Sequence, residues 1–410
     1  MSSEQPRAII FNCNFNGLSI IQDLGLRGIA CTAMDVRRSI GTFSRYATYV
    51  NCPDPAERET DFIDFLYAYC DKQAVKPVLF PTNDHWATAI SKHKNRLSKV
   101  AHSCVADWSA VDLVIDKERF YELGQKKAYM TPETWQKADL GALAEEHFPI
   151  VAKPVARRNS ADKNQEALFE AMDRLRLSVL ANQQELSDFI AKEHDWLEQL
   201  VFQRYVPGLS DEMYTVGVYA DAQHELKAIF SGKKVRGYPA DIGDCIVGEV
   251  RGVPAALIDN AQKISRDIGL SGIAEFEYKR DVVKDSYVLI EINPRSWSWI
   301  GITPACGVSL PHIAYQDLMG FAYEVSQVAI PDGSVRYVKI LQDFLNVVFR
   351  YKLEHPAWSA SVSEWFKELR QQKTVMAEFH ARDYLVALIS LAQTLKLGLT
   401  WLIKRYRKRA

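Results

Sequence analysis

The 410-residue chain lacks an excess of charge of either sign. Its 50 lysines and arginines are balanced by 51 aspartates and glutamates, so no overall basic surplus points to a nucleic-acid partner. The basic residues are nevertheless uneven, because residues 404–409 read KRYRKR. With 48% apolar and 25% charged residues, the composition excludes wholesale disorder and a polytopic membrane protein, and the length suggests two to three domains.

Paired cysteines and a secretion signal are also missing. The seven cysteines are scattered and odd in number, without a C-x-x-C pair, so neither a disulfide framework nor a zinc site is indicated. The N-terminal segment MSSEQPRAIIF has no long apolar run that leads to a small-residue cleavage site. We therefore expect a cytoplasmic protein.

Residues 1–112 alternate short apolar runs with helical patterns, which predicts an α/β domain built on a parallel sheet. Loops 13–17 and 81–85 follow two of its strands, and ligands bind at such strand ends. The first loop is not a dinucleotide fingerprint, because it has one glycine where three are needed. A small-ligand loop and a plain connection are equally good interpretations.

Residues 113–320 follow an α+β pattern, and one predicted hairpin in it carries clustered polar groups. Alternation along strands 273–279 and 287–293 puts Glu275 with Glu277, and Glu291 with Asn293 and Arg295, on shared faces. Such oxygen ligands suit Mg²⁺, with phosphates completing its shell. The alternative is a solvated sheet face with ion pairs.

Two lysines precede this hairpin. Lys153 lies in the apolar strand PIVAKP of residues 149–154, where an ammonium needs an anionic partner such as a nucleotide phosphate. Lys117 follows Asp116, a candidate helix N-cap. In isolation, Lys117 is better explained as a surface helix lysine.

The order of these segments resembles the ATP-grasp superfamily of ATP-dependent carboxylate–amine ligases, especially its D-aspartate ligase-like and carbamoyl-phosphate-synthetase-like branches. The resemblance covers roughly residues 8–320. It is carried by Asp116-Lys117 and by the segments PIVAKP (149–154), VFQRYVPG (201–208), GIAEFE (272–277) and LIEINPR (289–295).

The resemblance implies an ATP-grasp domain over 113–320, with a lid subdomain at about 145–206. It also implies ATP and Mg²⁺ as cofactors, with two ions that Mn²⁺ can replace. The implied site residues are Lys117 and Lys153 on the phosphates; Gln203, Arg204, Tyr205 and Val206 along the adenine; Glu212 on the ribose; Glu277, Glu291 and Asn293 on the metal; and Arg295 facing the acyl phosphate.

Two stretches depart from, or add to, the family pattern. Residues 155–163 contain no glycine, although these enzymes usually close a glycine-rich loop over the phosphates there, so Arg157 and Arg158 are candidate substitutes. The alternative is a disordered surface loop. In the basic cluster KKVR of residues 233–236, Lys234 and Arg236 are catalytic candidates for the acid substrate or the transferring phosphate, and a solvated charged hairpin is an equally good explanation.

After a mixed α+β extension at 321–382, residues 383–410 predict an amphipathic basic helix. Its apolar face consists of Leu388, Leu391, Leu395, Leu399 and Leu402. With KRYRKR following, this pattern favours peripheral binding to an anionic membrane surface on the cytoplasmic side. Gln393 and Lys396 make spanning costly. The alternative is a helix packed on the protein's own core.

These patterns predict a ligase that activates a small carboxylic acid with ATP and joins it to a small-molecule amine. A homodimer is a further expectation. A second hypothesis is a non-catalytic ATP-binding regulatory module at the membrane surface. A third uses bicarbonate as the acid, and the lack of a biotin-carrier segment weighs against it.

Overall fold

The structure is a computed structural model, and it describes residues 6–155, 175, 177–240 and 243–407. These residues form three sheets of five, eight and four strands. All seven cysteines are buried free thiols.

The N-terminal domain is a parallel sheet in the order β3-β2-β1-β4-β5, as the sequence predicts. Strand β3 was missed from the sequence because it is a half-exposed edge strand without a long apolar run. The strands are β1 (Ala8–Phe11), β2 (Cys31–Asp35), β3 (Ala47–Asn51), β4 (Val78–Phe80) and β5 (His102–Ser103). The helices are α1 (Phe15–Leu26), α2 (Glu59–Asp71), α3 (Asp84–Lys92), α4 (Lys94–Leu97) and α5 (Trp108–Ile115).

A smaller antiparallel sheet follows helix α6 (Lys117–Lys127), whose first turn is capped by Asp116 through the Arg119 N–H at 3.1 Å. Its order is β6-β9-β7-β8, and helix α7 (Gln183–Lys192) packs on it. The strands are β6 (Thr134–Trp135), β7 (Ile150–Pro154), β8 (Ser178–Leu180) and β9 (Leu200–Arg204). The predicted phosphate loop with Arg157 and Arg158 lies outside the described residues beyond Val155.

The largest sheet has the order β14-β13-β10-β11-β12-β16-β17, with β15 beside β11. Its last three strands come from residues 321–382, so the predicted C-terminal extension continues this sheet. The strands are β10 (Met213–Ala220), β11 (Leu226–Tyr238), β12 (Asp244–Val250), β13 (Gly272–Asp281), β14 (Ser286–Asn293), β15 (Ser326–Gln327), β16 (Val335–Val338) and β17 (Lys373–Met376). The associated helices are α8 (Ala255–Ile268), α9 (Leu310–Leu318), α10 (Ile340–Leu345), α11 (Tyr351–Glu354) and α12 (Val362–Leu369).

Two tryptophans cover part of one face of this sheet. Trp297 and Trp299 are each 1% exposed and contact the Phe230 ring. They fit because the strands below carry glycines: a Cβ at Gly217 would lie 2.1 Å from the Trp297 ring, and one at Gly232 would lie 2.7 Å from the Trp299 ring. We call this side of the sheet the tryptophan face.

The last helix is α13 (Tyr384–Arg407), and the contacts of its first turns differ from the prediction. Val386 packs on Leu18 and Ile40, and Ser390, which was expected on the solvent side, is buried. Leu388, Leu391 and Leu395 are 59%, 41% and 59% exposed. Leu388, Leu391 and Leu395 are therefore not packed on the protein's own core. None of the described helices combines the length and apolar character needed to cross a membrane.

Candidate active site

The β13–β14 hairpin aligns the predicted polar side chains in direct cross-strand pairs. Glu275 pairs with Asn293, and Glu277 pairs with Glu291. The Asn293 amide donates to Glu275 Oε2 at 3.0 Å. Because side chains of directly paired residues lie on the same side of a sheet, these four groups form one polar patch, which we call the carboxylate set.

Two lysines from other elements reach the carboxylate set. Lys234 Nζ, from β11, lies 3.0 Å from Glu277 Oε1. Lys117 Nζ, from the first turn of α6, lies 3.2 Å from Glu291 Oε1. The four side chains are 9–16% exposed, so the ion pairs are largely shielded from water. Each predicted metal-binding glutamate is therefore held beside a predicted phosphate-binding or catalytic lysine.

Burial and neighbouring charges shift the pKa values of Glu275 and Lys234. Burial and the neighbouring Glu277 carboxylate raise the pKa of Glu275 to about 8. Glu275 also accepts a hydrogen bond from Thr215 Oγ1 at 2.9 Å. Burial alone would lower the pKa of Lys234, but the carboxylates of Glu277 and Glu275 outweigh it and raise that pKa. Lys234 therefore remains protonated at neutral pH.

Arg295 is fixed from both domains. Its Nε donates to Asp84 Oδ1 at 2.6 Å, and its terminal nitrogens donate to Asn293 Oδ1 at 3.0 Å and to the Ser296 carbonyl at 2.9 Å. Asp84 is the first residue of α3, in the loop 81–85 that the sequence singled out without assigning this residue a role. The parallel-sheet domain therefore supplies one side of the site.

Lys153 is buried, and a tyrosine orients it. Its Nζ donates to the Tyr121 hydroxyl at 2.8 Å and lies 4.7 Å from the centroid of that ring. The hydroxyl in turn donates to the Ile290 carbonyl, in the strand that bears Glu291. Sequence analysis did not identify Tyr121, although its position four residues after Lys117 places both on one face of α6.

The predicted adenine segment lies between the small sheet and the end of β13. Gln203 Nε2 donates to Thr134 Oγ1 at 2.8 Å, and Arg204 is 2.6 Å from Asp281. The Tyr205 N–H donates to the Pro149 carbonyl at 3.1 Å, and Val206 is buried. The segment is therefore anchored to both sheets.

Arg236 is not brought to the carboxylate set. Register shifts in β11 on both sides of Arg236 change the alternation, so Lys234 pairs with Gly248 but Arg236 pairs with Val247. Its guanidinium is bound by Asp343 at 2.8–2.9 Å and by Glu368 at 2.8 Å. The prediction of a catalytic Arg236 is therefore corrected to a buried ion cluster.

Glu212 also lies apart from the set. Its carboxylate is 3.9 Å from Lys233 and 3.8 Å from Arg280. Lys233 directly precedes Lys234, whose side chain reaches the carboxylate set, so alternation turns Lys233 to the opposite side of the sheet. The ribose-binding role of Glu212 stays a prediction.

The donor set fits a magnesium–nucleotide complex. Within the described ranges, no three His, Cys, Asp or Glu side chains form a ready-made metal cluster. Glu277 and Glu291 offer adjacent carboxylates, and Asn293 adds an amide oxygen. Mg²⁺ is commonly bound by one or two carboxylates plus substrate phosphates, which is the coordination that these residues can supply.

Comparisons with known proteins agree with this geometry. No protein-family model matches the chain. A D-aspartate ligase from Enterococcus faecium (strain Aus0004) is 25% identical over 292 residues, which are 67% of this chain and 68% of that protein.

Solved structures show the same fold. N5-carboxyaminoimidazole synthetase from Staphylococcus aureus, complexed with ADP, has a TM-score of 0.60 and 13% identity, over 86% of each chain. L-amino acid ligase from Bacillus licheniformis has a TM-score of 0.56 and 13% identity, over 77% of this chain and 75% of that one. The resemblance predicted from the motifs is confirmed: the chain has the ATP-grasp fold and is a homologue of D-aspartate ligase.

Proposed function

We propose that this protein is an ATP-dependent ligase that activates a carboxylic acid as an acyl phosphate and joins it to an amine through an amide bond. The relatedness to D-aspartate ligase supports this class of activity. The observation that carries the proposal is the carboxylate set, with Lys117, Lys234 and Arg295 arranged around it. No finding favours the alternative of a non-catalytic ATP-binding module.

The proposed nucleotide site lies between the small sheet and the carboxylate set. Lys117 and Lys153 bind the phosphates, and the segment 203–206 lies along the adenine. Glu277, Glu291 and Asn293 hold Mg²⁺, in a two-ion arrangement that Mn²⁺ also satisfies. Bound Mg²⁺ would offset the negative charge on the phosphates during transfer.

Arg295 and Lys234 are the proposed catalytic cations. Arg295 carries a permanent charge, and its planar fork suits the oxygens of an acyl phosphate. Asp84 and Asn293 hold this fork in place before substrate arrives, and such preorganisation lowers the cost of stabilising charge in the transition state. Lys234, which stays protonated beside Glu277, is placed for the transferring phosphoryl group.

The proposed acid substrate is an amino acid with a second carboxylate, for which D-aspartate is the first candidate because the homologue is a D-aspartate ligase. The amine is a small molecule. We also propose a homodimer and a cytoplasmic location, as predicted from the sequence.

The C-terminal helix supports a peripheral contact with an anionic membrane. Leu388, Leu391 and Leu395 are exposed, while Val386 and Ser390 face the body. This arrangement leaves an apolar stripe available, and the basic residues of 404–409 follow along the same chain. An exposed apolar face next to cationic residues matches the chemistry of an anionic lipid surface.

Hydroxamate trapping tests the proposed reaction. Hydroxylamine, a surrogate amine, attacks an acyl phosphate and releases phosphate, leaving a hydroxamate that forms a coloured complex with added ferric ion. We expect D-aspartate, ATP, Mg²⁺ and hydroxylamine to yield ADP and hydroxamate in equal amounts. If no acid in a broad pool of amino acids and dicarboxylic acids yields either product while ATP still binds, the ligase proposal is wrong.

A further inference from the structure

Lys339 lies on the tryptophan face of the largest sheet, in the C-terminal extension. It directly follows β16, and its backbone N–H donates to the Ile246 carbonyl of β12 at 2.9 Å. Tyr337, two residues earlier, pairs with Gly248, on which the Trp299 ring packs. Because strand side chains alternate, the Lys339 side chain follows that of Tyr337 onto this face, which is also the face of Lys234.

The ammonium group of Lys339 reaches the N-terminal domain. Its Nζ lies 5.6 Å from the centroid of the Phe15 ring, and Phe15 is the first residue of α1, just after β1. The carboxyl ends of parallel strands, where this loop lies, are the edge at which α/β sheets bind ligands. Lys339 therefore lies at the junction of two ligand-binding surfaces.

Lys339 is 6% exposed, and within the described part of the chain its Nζ forms no ion pair with a carboxylate. The charged groups that surround it are Asp244, Glu378 and Lys234. Glu378 instead accepts the Ile340 N–H at 2.9 Å. Burial lowers the pKa of Lys339. An ammonium buried without a paired anion is costly, and a negatively charged ligand would remove that cost.

Lys339 lies on a different part of the molecule from Lys117 and Lys153, the lysines proposed to bind the phosphates. Strands β10, β11 and β12 lie between β16 and the β13–β14 hairpin, whereas Phe15 and Asp84, which contact Lys339 and Arg295, follow the neighbouring strands β1 and β4. Lys234 stands between Lys339 and the carboxylate set in this strand order. An anion bound by Lys339 is therefore a different group from the phosphates at Glu277 and Glu291.

We propose that Lys339 binds a carboxylate of the acid substrate, namely the one that is not activated. The inference rests on the ligase function proposed above and specifies its substrate class as acids with two acidic groups. The activated carboxylate faces Arg295, and the second one neutralises Lys339. Monocarboxylic acids of similar size would leave the buried ammonium unpaired and bind more weakly.

Lys339→Met, which keeps the length of the side chain without its charge, tests the assignment. We expect the KM for D-aspartate to rise on the order of ten- to a hundredfold, while the dissociation constant for ATP stays within about twofold of wild type. The melting temperature without ligand should rise, because an uncompensated buried charge is removed. D-aspartate should raise the melting temperature of wild type but not of the variant. The control, Lys352→Met, changes an exposed lysine of α11 and should match wild type.

Unchanged D-aspartate binding by Lys339→Met overturns the proposal, as does a lower melting temperature with normal acid binding, which would assign Lys339 a structural role beside Glu378. If Lys339→Met does not fold, Lys339→Arg is tested in its place. Arginine keeps the positive charge but changes its position, so a KM for D-aspartate equal to that of wild type would overturn the proposal. The melting-temperature shift needs no turnover. Wild type that gains stability from D-aspartate without releasing ADP would therefore contradict the ligase function and leave the Lys339 site intact.

Discussion

Asp84 binds Arg295 across the boundary between the parallel sheet and the β13–β14 hairpin, with 2.6 Å between Asp84 Oδ1 and Arg295 Nε. The two residues are 211 positions apart in the sequence. This ion pair sets the plane of the guanidinium relative to Asn293, which it also contacts. The N-terminal domain therefore has a direct part in the proposed catalytic geometry.

Replacing Asp84 tests that positioning. We expect Asp84→Asn to lower kcat by about tenfold or more, since a misplaced catalytic group costs rate steeply, and to leave ATP affinity within about twofold. Steady-state ADP release and calorimetry with ATP measure the two quantities. Asp61→Asn, which breaks an exposed pair with Arg58 in the same domain, is the matched control. Equal kcat values for Asp84→Asn and wild type would contradict the positioning role.

Lys153 and Arg295 should affect different steps. Lys153→Ala should raise the dissociation constant for ATP about tenfold or more, because a charge-assisted phosphate contact is lost in the ground state. Arg295→Ala should leave that constant unchanged and reduce turnover, because the acyl phosphate forms later. Lys92→Met, at an exposed pair with Glu59, controls for loss of positive charge. Normal ATP binding by folded Lys153→Ala would remove Lys153 from the phosphate site.

Glu378 predicts a pH dependence of stability. Burial raises its pKa to about 7, against about 4.3 in an unfolded chain. As the pH rises between these values, the unfolded chain releases a proton that the folded protein keeps, so wild type loses stability relative to Glu378→Gln. The relative loss should total roughly 4 kcal/mol and level off above about pH 7. Urea denaturation of both proteins from pH 4.5 to 8 measures this difference. A difference in free energy of unfolding between wild type and Glu378→Gln that stays constant over this range would contradict the assignment.

The exposed leucines predict membrane binding without a change in fold. Replacing Leu388, Leu391 and Leu395 together by serine should leave the melting temperature unchanged and reduce sedimentation with vesicles of phosphatidylcholine and phosphatidylglycerol. Binding by wild type should also weaken with salt, because cationic attraction is screened. Val283→Ser, at an apolar side chain that is 79% exposed elsewhere, is the control. Wild type that ignores these vesicles would refute the membrane contact.

The contacts of residues 383–390 with the N-terminal domain decide where the C-terminal helix can be truncated without unfolding the protein. Asp383 is buried and accepts hydrogen bonds from Ser44 Oγ at 2.6 Å and from the Arg45 N–H at 3.0 Å. Deleting residues 383–410 would remove these bonds and destabilise the N-terminal domain. Deletion from residue 391 keeps Asp383 and Val386, and it is the variant that should stay folded without binding vesicles.

The local patterns of the sequence were sufficient to predict the shared polar face of the β13–β14 hairpin. Period-two alternation alone puts Glu275 with Glu277, and Glu291 with Asn293, on single faces, and the antiparallel register then brings the two pairs together. Lys153 could be singled out as a candidate anion-binding residue because an ammonium group within an apolar strand needs an anionic partner. These positions depend on neighbours only a few residues away.

Local sequence patterns could not predict contacts between distant segments or irregularities of the backbone. Asp84 and Lys339 acquire their proposed roles from partners in other elements, and no local spacing reveals them. Tyr121 shares a helix face with Lys117, but its hydrogen bond to Lys153 depends on another element. Arg236 was misassigned because register shifts in β11 interrupt the alternation and turn it towards Asp343. The orientation of α13 depended on Val386 meeting Leu18 and Ile40, a contact between the two ends of the chain.

The most direct test of the account is acid-dependent ADP release by wild type and by Glu291→Gln, measured with D-aspartate and hydroxylamine over a range of Mg²⁺ concentrations. Removing one anionic ligand should abolish Mg²⁺-dependent turnover, while the melting temperature stays close to that of wild type because the Glu291 side chain is 16% exposed and Glu291→Gln keeps its size. Glu185→Gln, an exposed substitution on α7, should behave as wild type. ADP and hydroxamate production by folded Glu291→Gln at the wild-type rate would contradict the assignment of the carboxylate set as the catalytic centre.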